Sequence, residues 1–205
     1  MKLYHLLYVF FFSSILLLSG CGRESTDSEQ IDQESAIEVY KRAIKINPNN
    51  DTAYNGLGIE YGSKGDNMLA IQMFKKAIEL KPDEPSYHDN IGVVYGNMGE
   101  LDLAISHHLQ ALELNPMKVN ALNNLGICYR DKGMLDKAIE TWEKAIKLSP
   151  ENQLFNYYLG LCYYDKGEYE NARSLFMQVI EKDPKNPAVR NAKELIEKIN
   201  LMSVE

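Results

Sequence analysis

The chain has 205 residues, 22 basic against 29 acidic, and a formal net charge of −7. That balance argues against a surface built for nucleic acid or for anionic lipid headgroups. Aliphatic residues are spread evenly along the chain, so the order of elements has to be read from spacing.

The first element is "MKLYHLLYVFFFSSILLLSG". Lys2 precedes an uncharged apolar stretch from Leu6 to Leu18. Crossing the hydrocarbon core as a helix takes about 20 residues, so the stretch is too short. A charged start, a short apolar middle and the small residues Ser19 and Gly20 describe a secretory signal. A cysteine follows at once, and "LSGC" resembles the lipobox of bacterial lipoproteins. The resemblance implies cleavage after Gly20 and acyl chains on Cys21. It predicts a lipid-anchored protein of the bacterial cell envelope, outside the cytoplasmic membrane. Gly22 is not acidic, which in a cell with two membranes leans toward the outer one, facing the periplasm. Residues 1–20 are thus expected to be the signal. Residues 21–30 are expected to be the lipidated cysteine and a polar tether, "GRESTDSEQ" following the cysteine, with a reach of at most roughly 30 Å.

The rest of the chain repeats. Pro48, Pro82, Pro116, Pro150 and Pro184 each lie 34 residues from the last. The same period carries Gly58, Gly92, Gly126 and Gly160, and again Gly65, Gly99, Gly133 and Gly167. It also carries Tyr61, Tyr95, Tyr129 and Tyr163, and Ala70, Ala104, Ala138 and Ala172. Such a period marks an array of supersecondary units.

Spacing inside one unit predicts two helices. Tyr54, Leu57, Gly58 and Tyr61 form a helical stripe that Gly65 ends. Ala70, Phe74, Ala77 and Ile78 form a second, closed by Pro82. Small residues at Gly58, Ala70 and Ala77 point to close approach of the two helices. These residues resemble the tetratricopeptide repeat (TPR), a 34-residue helix–turn–helix. The resemblance implies an all-α, right-handed α-solenoid. Four units are expected at 51–84, 85–118, 119–152 and 153–186. Residues 31–50 match a second helix only, with Ala36, Tyr40 and Ala43 echoing Ala70, Phe74 and Ala77. Residues 187–205 read as a capping helix, with Ala188, Ala192, Leu195 and Ile199 on one face.

TPR arrays bind partners on the concave surface lined by the first helices. A wheel at about 100° per residue puts Thr52, Asn55, Gly56, Ile59, Gly62 and Ser63 on that side. Across units, Ile59, Val93, Ile127 and Leu161 form a central apolar row. Beside it run Asn55, Asp89, Asn123 and Tyr157, then Gly56, Asn90, Asn124 and Tyr158. A further row is Gly62, Gly96, Arg130 and Tyr164. Asn side chains donate and accept, so they suit a peptide backbone. Tyr157, Leu161 and Tyr164 suit side-chain anchoring. The TPRs that clamp a chaperone's C-terminal carboxylate use Lys and Asn in the central row. Here it is apolar, with Arg130 the only cation nearby, which argues against that specialty.

Other constellations reduce to packing. Cys128 and Cys162 occupy equivalent places on adjacent helices, whose axes lie about 8–10 Å apart, too far for a disulfide. His88 and His108 stand where other units place packing residues. No metal or cofactor site and no catalytic constellation is expected. The expected function is that of a membrane-anchored scaffold or adaptor for protein or peptide partners, with no nucleic acid partner. It resembles the TPR lipoproteins of pilus or secretin assembly and those that dock cell-wall hydrolases. An alternative is binding of cell-wall glycan or peptide by the C-terminal tyrosines.

Overall fold

The computed structural model describes residues 25–202, with side chains described from residue 36. Among these residues the secondary structure is helical, and residues 36–202 belong to one compact unit. The helices are α1 (Ser25–Ile46), α2 (Asp51–Ser63), α3 (Asn67–Leu80), α4 (Pro85–Asn97), α5 (Leu101–Leu114), α6 (Val119–Asp131), α7 (Leu135–Leu148), α8 (Gln153–Asp165), α9 (Tyr169–Lys182) and α10 (Val189–Met202). From α2 to α9 they pair as the period predicts, and each second helix also packs on the first helix of the next unit. This is the solenoid expected of the repeat. The first helix starts at Ser25, inside the stretch read as tether, where Ser25, Glu29 and Gln30 supply no helix breaker. The segment expected to be a signal and Cys21, the expected lipidation site, lie outside the described residues.

The repeated residues each have a mechanical reason. Gly65, Gly99, Gly133 and Gly167 adopt φ of 77° to 82°, the left-handed conformation that ends the first helix of each pair. In the first pair Gly65 N donates to Gly62 O (3.1 Å) and Asp66 N to Tyr61 O (2.9 Å). That is the two-bond glycine cap of a helix C-terminus, and the other three units repeat it. The tyrosine column therefore lends its carbonyls to the turn.

Gly58, Gly92, Gly126 and Gly160 serve packing. A Cβ on each would lie 2.7, 2.6, 2.6 and 2.7 Å from the nearest atom of Phe74, His108, Trp142 and Phe176 respectively. The ring of the second helix thus rests on the bare backbone of the first. Ala70, Ala104, Ala138 and Ala172 are fully buried, which lets the paired helices meet. In the third unit the ring has a second neighbour, for Tyr158 of the following unit stacks on Trp142 with centroids 5.3 Å apart.

His108 takes the ring position of its unit, as expected of a packing substitute. It is 1% exposed and its Nδ1 donates to Asp89 Oδ1 at 2.8 Å. Cys128 and Cys162 are buried free thiols, pushed up to about 11 and about 12 by burial. At the C-terminal end Ala192 and Ile199 of α10 are buried against α9, while Arg190, Lys193, Glu194, Glu197 and Lys198 face solvent.

Candidate partner-binding groove

Four first helices, α2, α4, α6 and α8, place the expected groove residues in rows. In the central row Ile59 is 49% and Val93 37% exposed, whereas Ile127 and Leu161 are half-buried. The apolar row is therefore open at its N-terminal end. Beside it lie Gly62 and Gly96, where a methyl group would meet its nearest neighbours at 3.7 and 3.8 Å, an ordinary contact. Unlike the glycines beneath the rings, these two are not demanded by helix packing. Their absent side chains leave the floor low next to two exposed aliphatic side chains.

The polar rows are less free than a single-unit wheel suggests. Asn90 Nδ2 donates to Asn55 Oδ1 at 2.8 Å, and Asn124 Nδ2 donates to Asp89 Oδ1 at 3.3 Å. Trp142 Nε1 donates to Asn123 Oδ1 at 3.4 Å. Asp89 is buried and already holds His108. Asn55, Asp89, Asn90 and Asn124 tie one unit to the next, while Asn123 and Asp89 also hold the ring of their own unit, and only their remaining lone pairs and N–H groups are available to a peptide. Arg130, the cation of the row, is held by Asp165 through Nε at 2.7 Å. These three links between adjacent first helices, Asn55–Asn90, Asp89–Asn124 and Arg130–Asp165, join residues 35 apart, one more than the period, and a fourth, from Tyr87 Oη to Asp51, spans 36. That offset was visible in the sequence as polar residues at neighbouring positions of successive units.

At the C-terminal end the tyrosines divide. Tyr157 is 9% exposed and packs on Phe176 and Tyr158, with centroids 5.8 Å from each. It is a core residue rather than an exposed anchor, because Phe176 and the helix-pair core draw in a side chain too large for the rim. Tyr164 is half-buried and meets Tyr169 edge-on at 5.4 Å, and Tyr158 is half-buried over Trp142. Gly56, placed in the groove by the wheel, is buried under the ring of Tyr40. The groove proper is thus the central row, the low floor at Gly62 and Gly96, and the partly open faces of Asn55, Asn90, Asn124, Tyr158 and Tyr164.

A family model described as tetratricopeptide repeat matches residues 119–152, two further models so described match 154–186 and 85–116, and one described as TPR repeat matches 29–65 and 60–99. The chain belongs to the tetratricopeptide repeat family. Among solved structures it is similar to MamA, at 30% identity and a TM-score of 0.70 over 80% of this chain and 98% of that one. It is also similar to YrrB, described as a TPR protein with an unusual peptide-binding site, at 26% identity and a TM-score of 0.67 over 82% and 86%. MamA from Desulfovibrio magneticus RS-1 shares the fold at 24% identity and a TM-score of 0.70, over 78% and 90%. No curated protein matches the chain.

A carboxylate clamp needs cations free to meet a terminal carboxylate. The central row of this chain is aliphatic instead, and Arg130 is already neutralised by Asp165. The open end can offer apolar contact and amide hydrogen bonds, which suit an extended, uncharged segment rather than a charged terminus.

Proposed function

We propose that this TPR protein is a lipid-anchored scaffold that holds an extended segment of a partner protein in its concave groove. The observation that carries the groove reading is the pairing of exposed Ile59 and Val93 with Gly62 and Gly96, two glycines in the last turn of their helices that packing does not require. Glycine costs up to about 0.5–1 kcal/mol relative to alanine in a helix, the full amount in its middle. A low floor is useful where a ligand backbone comes close. TPR binding of proteins and peptides supports the reading, as does the similarity to YrrB, a TPR protein with a peptide-binding site.

The anchoring half rests on the resemblance of "LSGC" to a lipobox. Acyl chains on Cys21 would hold the array at the bacterial envelope, outside the cytoplasmic membrane, with the groove free to gather a secretion or envelope-assembly component. More than one chain is needed for stable anchoring, since a single chain binds a membrane only reversibly.

Two variants test the two halves separately. Ile59→Lys with Val93→Lys puts charge on the open row without touching the core. Pull-down from solubilised membranes, read by mass spectrometry, should lose the partners captured by the wild-type chain while the melting temperature stays within a few degrees. Retention of every partner would move the binding surface elsewhere. Cys21→Ala should shift the protein from the detergent phase to the aqueous phase of a Triton X-114 partition. A variant that stays with detergent would sink the anchoring half alone.

A further inference from the structure

We propose that the inner face of α1 is a second docking site, which takes one amphipathic helix of a partner protein bearing a central glycine. The face is the stripe Ala36, Val39, Tyr40 and Ala43. These residues hold the places that Ala70, Met73, Phe74 and Ala77 hold in α3, one period later. In α3 the alanines are fully buried and Phe74 is 2% exposed, because α2 covers them. In α1 both alanines and Tyr40 are only half-buried, and Val39 is 49% exposed. A face that is core in every later unit is open here.

The later units also show what fits on it. The ring of Trp142 lies between Gly126 of its own unit and Tyr158 of the next. Tyr40 has the second of these neighbours, for its ring lies against Gly56 of the next unit. Among the described residues no glycine of a paired helix takes the place of the first neighbour. The place of Val39 is taken by His107 in the second unit, and His107 meets His88, four residues before that unit's Gly92. The occupant is therefore a helix with a glycine over Tyr40 and an apolar residue four positions earlier over Val39. That is the pattern of Tyr54, Leu57 and Gly58 in α2.

The chain does not supply this helix from the adjoining residues. The positions directly ahead of Ala36 belong to α1 itself, where later units have a turn, and "RESTDSEQIDQES" contains neither an aromatic residue nor a glycine. Nor does the far end of a second copy fit, since the outer side of α10 carries Arg190, Lys193, Glu194 and Lys198. The helix is therefore assigned to another protein.

A first helix of the array itself serves as the probe. A fluorescein-labelled peptide of residues 51–65, DTAYNGLGIEYGSKG, is titrated with the full chain and followed by anisotropy. Binding should saturate, and it should weaken at least tenfold for the peptide carrying Gly58→Leu, whose side chain would strike Tyr40. On the protein, Ala43→Arg should weaken binding at least tenfold, whereas Lys41→Ala on the opposite side of α1 should leave it unchanged. Ile59→Lys, which disables the groove, should also leave it unchanged, so failure of the groove reading and failure of this one are separable. Trp142 fluorescence confirms that each variant keeps its array. Absence of saturation overturns the proposal, including the case in which the chain's own N-terminal residues fill the face. Binding that ignores Ala43→Arg, or tolerates Gly58→Leu in the peptide, overturns it as well.

Discussion

Gly126→Ala and Gly96→Ala are the same chemical change in neighbouring first helices, yet they should move stability in opposite directions. At Gly126 the new methyl would lie 2.6 Å from Trp142 Cε2 and 2.9 Å from Cδ2 and Nε1. An ordinary contact begins at 3.4 Å, so the indole would have to withdraw by about 0.8 Å. It has no room to do so. Trp142 is fully buried and Tyr158 is stacked on its other face. Overpacking of this kind costs about 1–3 kcal/mol, and a rigid ring belongs in the upper part of that range. Alanine regains about 1 kcal/mol of helix propensity, leaving a net loss of about 1–2 kcal/mol. At Gly96 the methyl would meet Cys128 Sγ at 3.8 Å and Ala104 Cβ at 3.9 Å. Gly96 lies in the last turn of α4, so only a propensity gain of at most about 0.5–1 kcal/mol remains there. The two variants should therefore differ by about 1–3 kcal/mol. Urea unfolding followed through Trp142, the only tryptophan, reads the third unit directly. Midpoints of one probe should be compared, since arrays need not unfold in a single step. A Gly126→Ala midpoint equal to or above that of Gly96→Ala would refute the claim that ring-on-glycine contacts, rather than turn geometry or chance, account for this column.

Other substitutions test the remaining assignments. Tyr157→Ala should cost about 3 kcal/mol in urea unfolding, because it removes a buried ring from Phe176, whereas Tyr164→Ala should cost less than half as much; equal costs would return Tyr157 to the groove surface. Asn124→Ala should cost about 1 kcal/mol by removing one donor to buried Asp89, and an unchanged midpoint would mean the link between units is idle. His107 should make the fold acid-sensitive. Burial, then the charges of His88, Lys75 and His108, hold it down at about 4, against 6.5 for a free imidazole. Above 6.5 neither state binds the proton. As pH falls from 6.5 toward 4 the unfolded chain takes it up and the folded chain does not, so stability drops across that window. His107→Leu should flatten the drop between pH 6.5 and pH 4.5, and an unchanged slope would refute the assignment.

The helix pairs and their turns were legible in the sequence because each depends on contacts inside one unit. Gly65 has to follow the first helix, Gly58 has to lie under Phe74, and both requirements recur with the period. The groove was legible only in part, and the misreadings share a cause. A wheel drawn on one helix places Gly56 and Tyr157 on the open side, but it does not contain the neighbour that decides their burial. For Gly56 that neighbour is Tyr40, from the helix before it, and for Tyr157 it is Phe176, from the helix after it. Likewise Asn55 and Asn90, or Asp89 and Asn124, look like free amides and acids on their own helices. They become partners only when adjacent units are laid side by side with an offset of one position. In a stacked array the period specifies the unit, while exposure is decided by the neighbouring helix, whether inside the unit or across a junction. Ile59 and Val93 in the groove and Val39 on α1 are among the apolar residues left open after both have been counted.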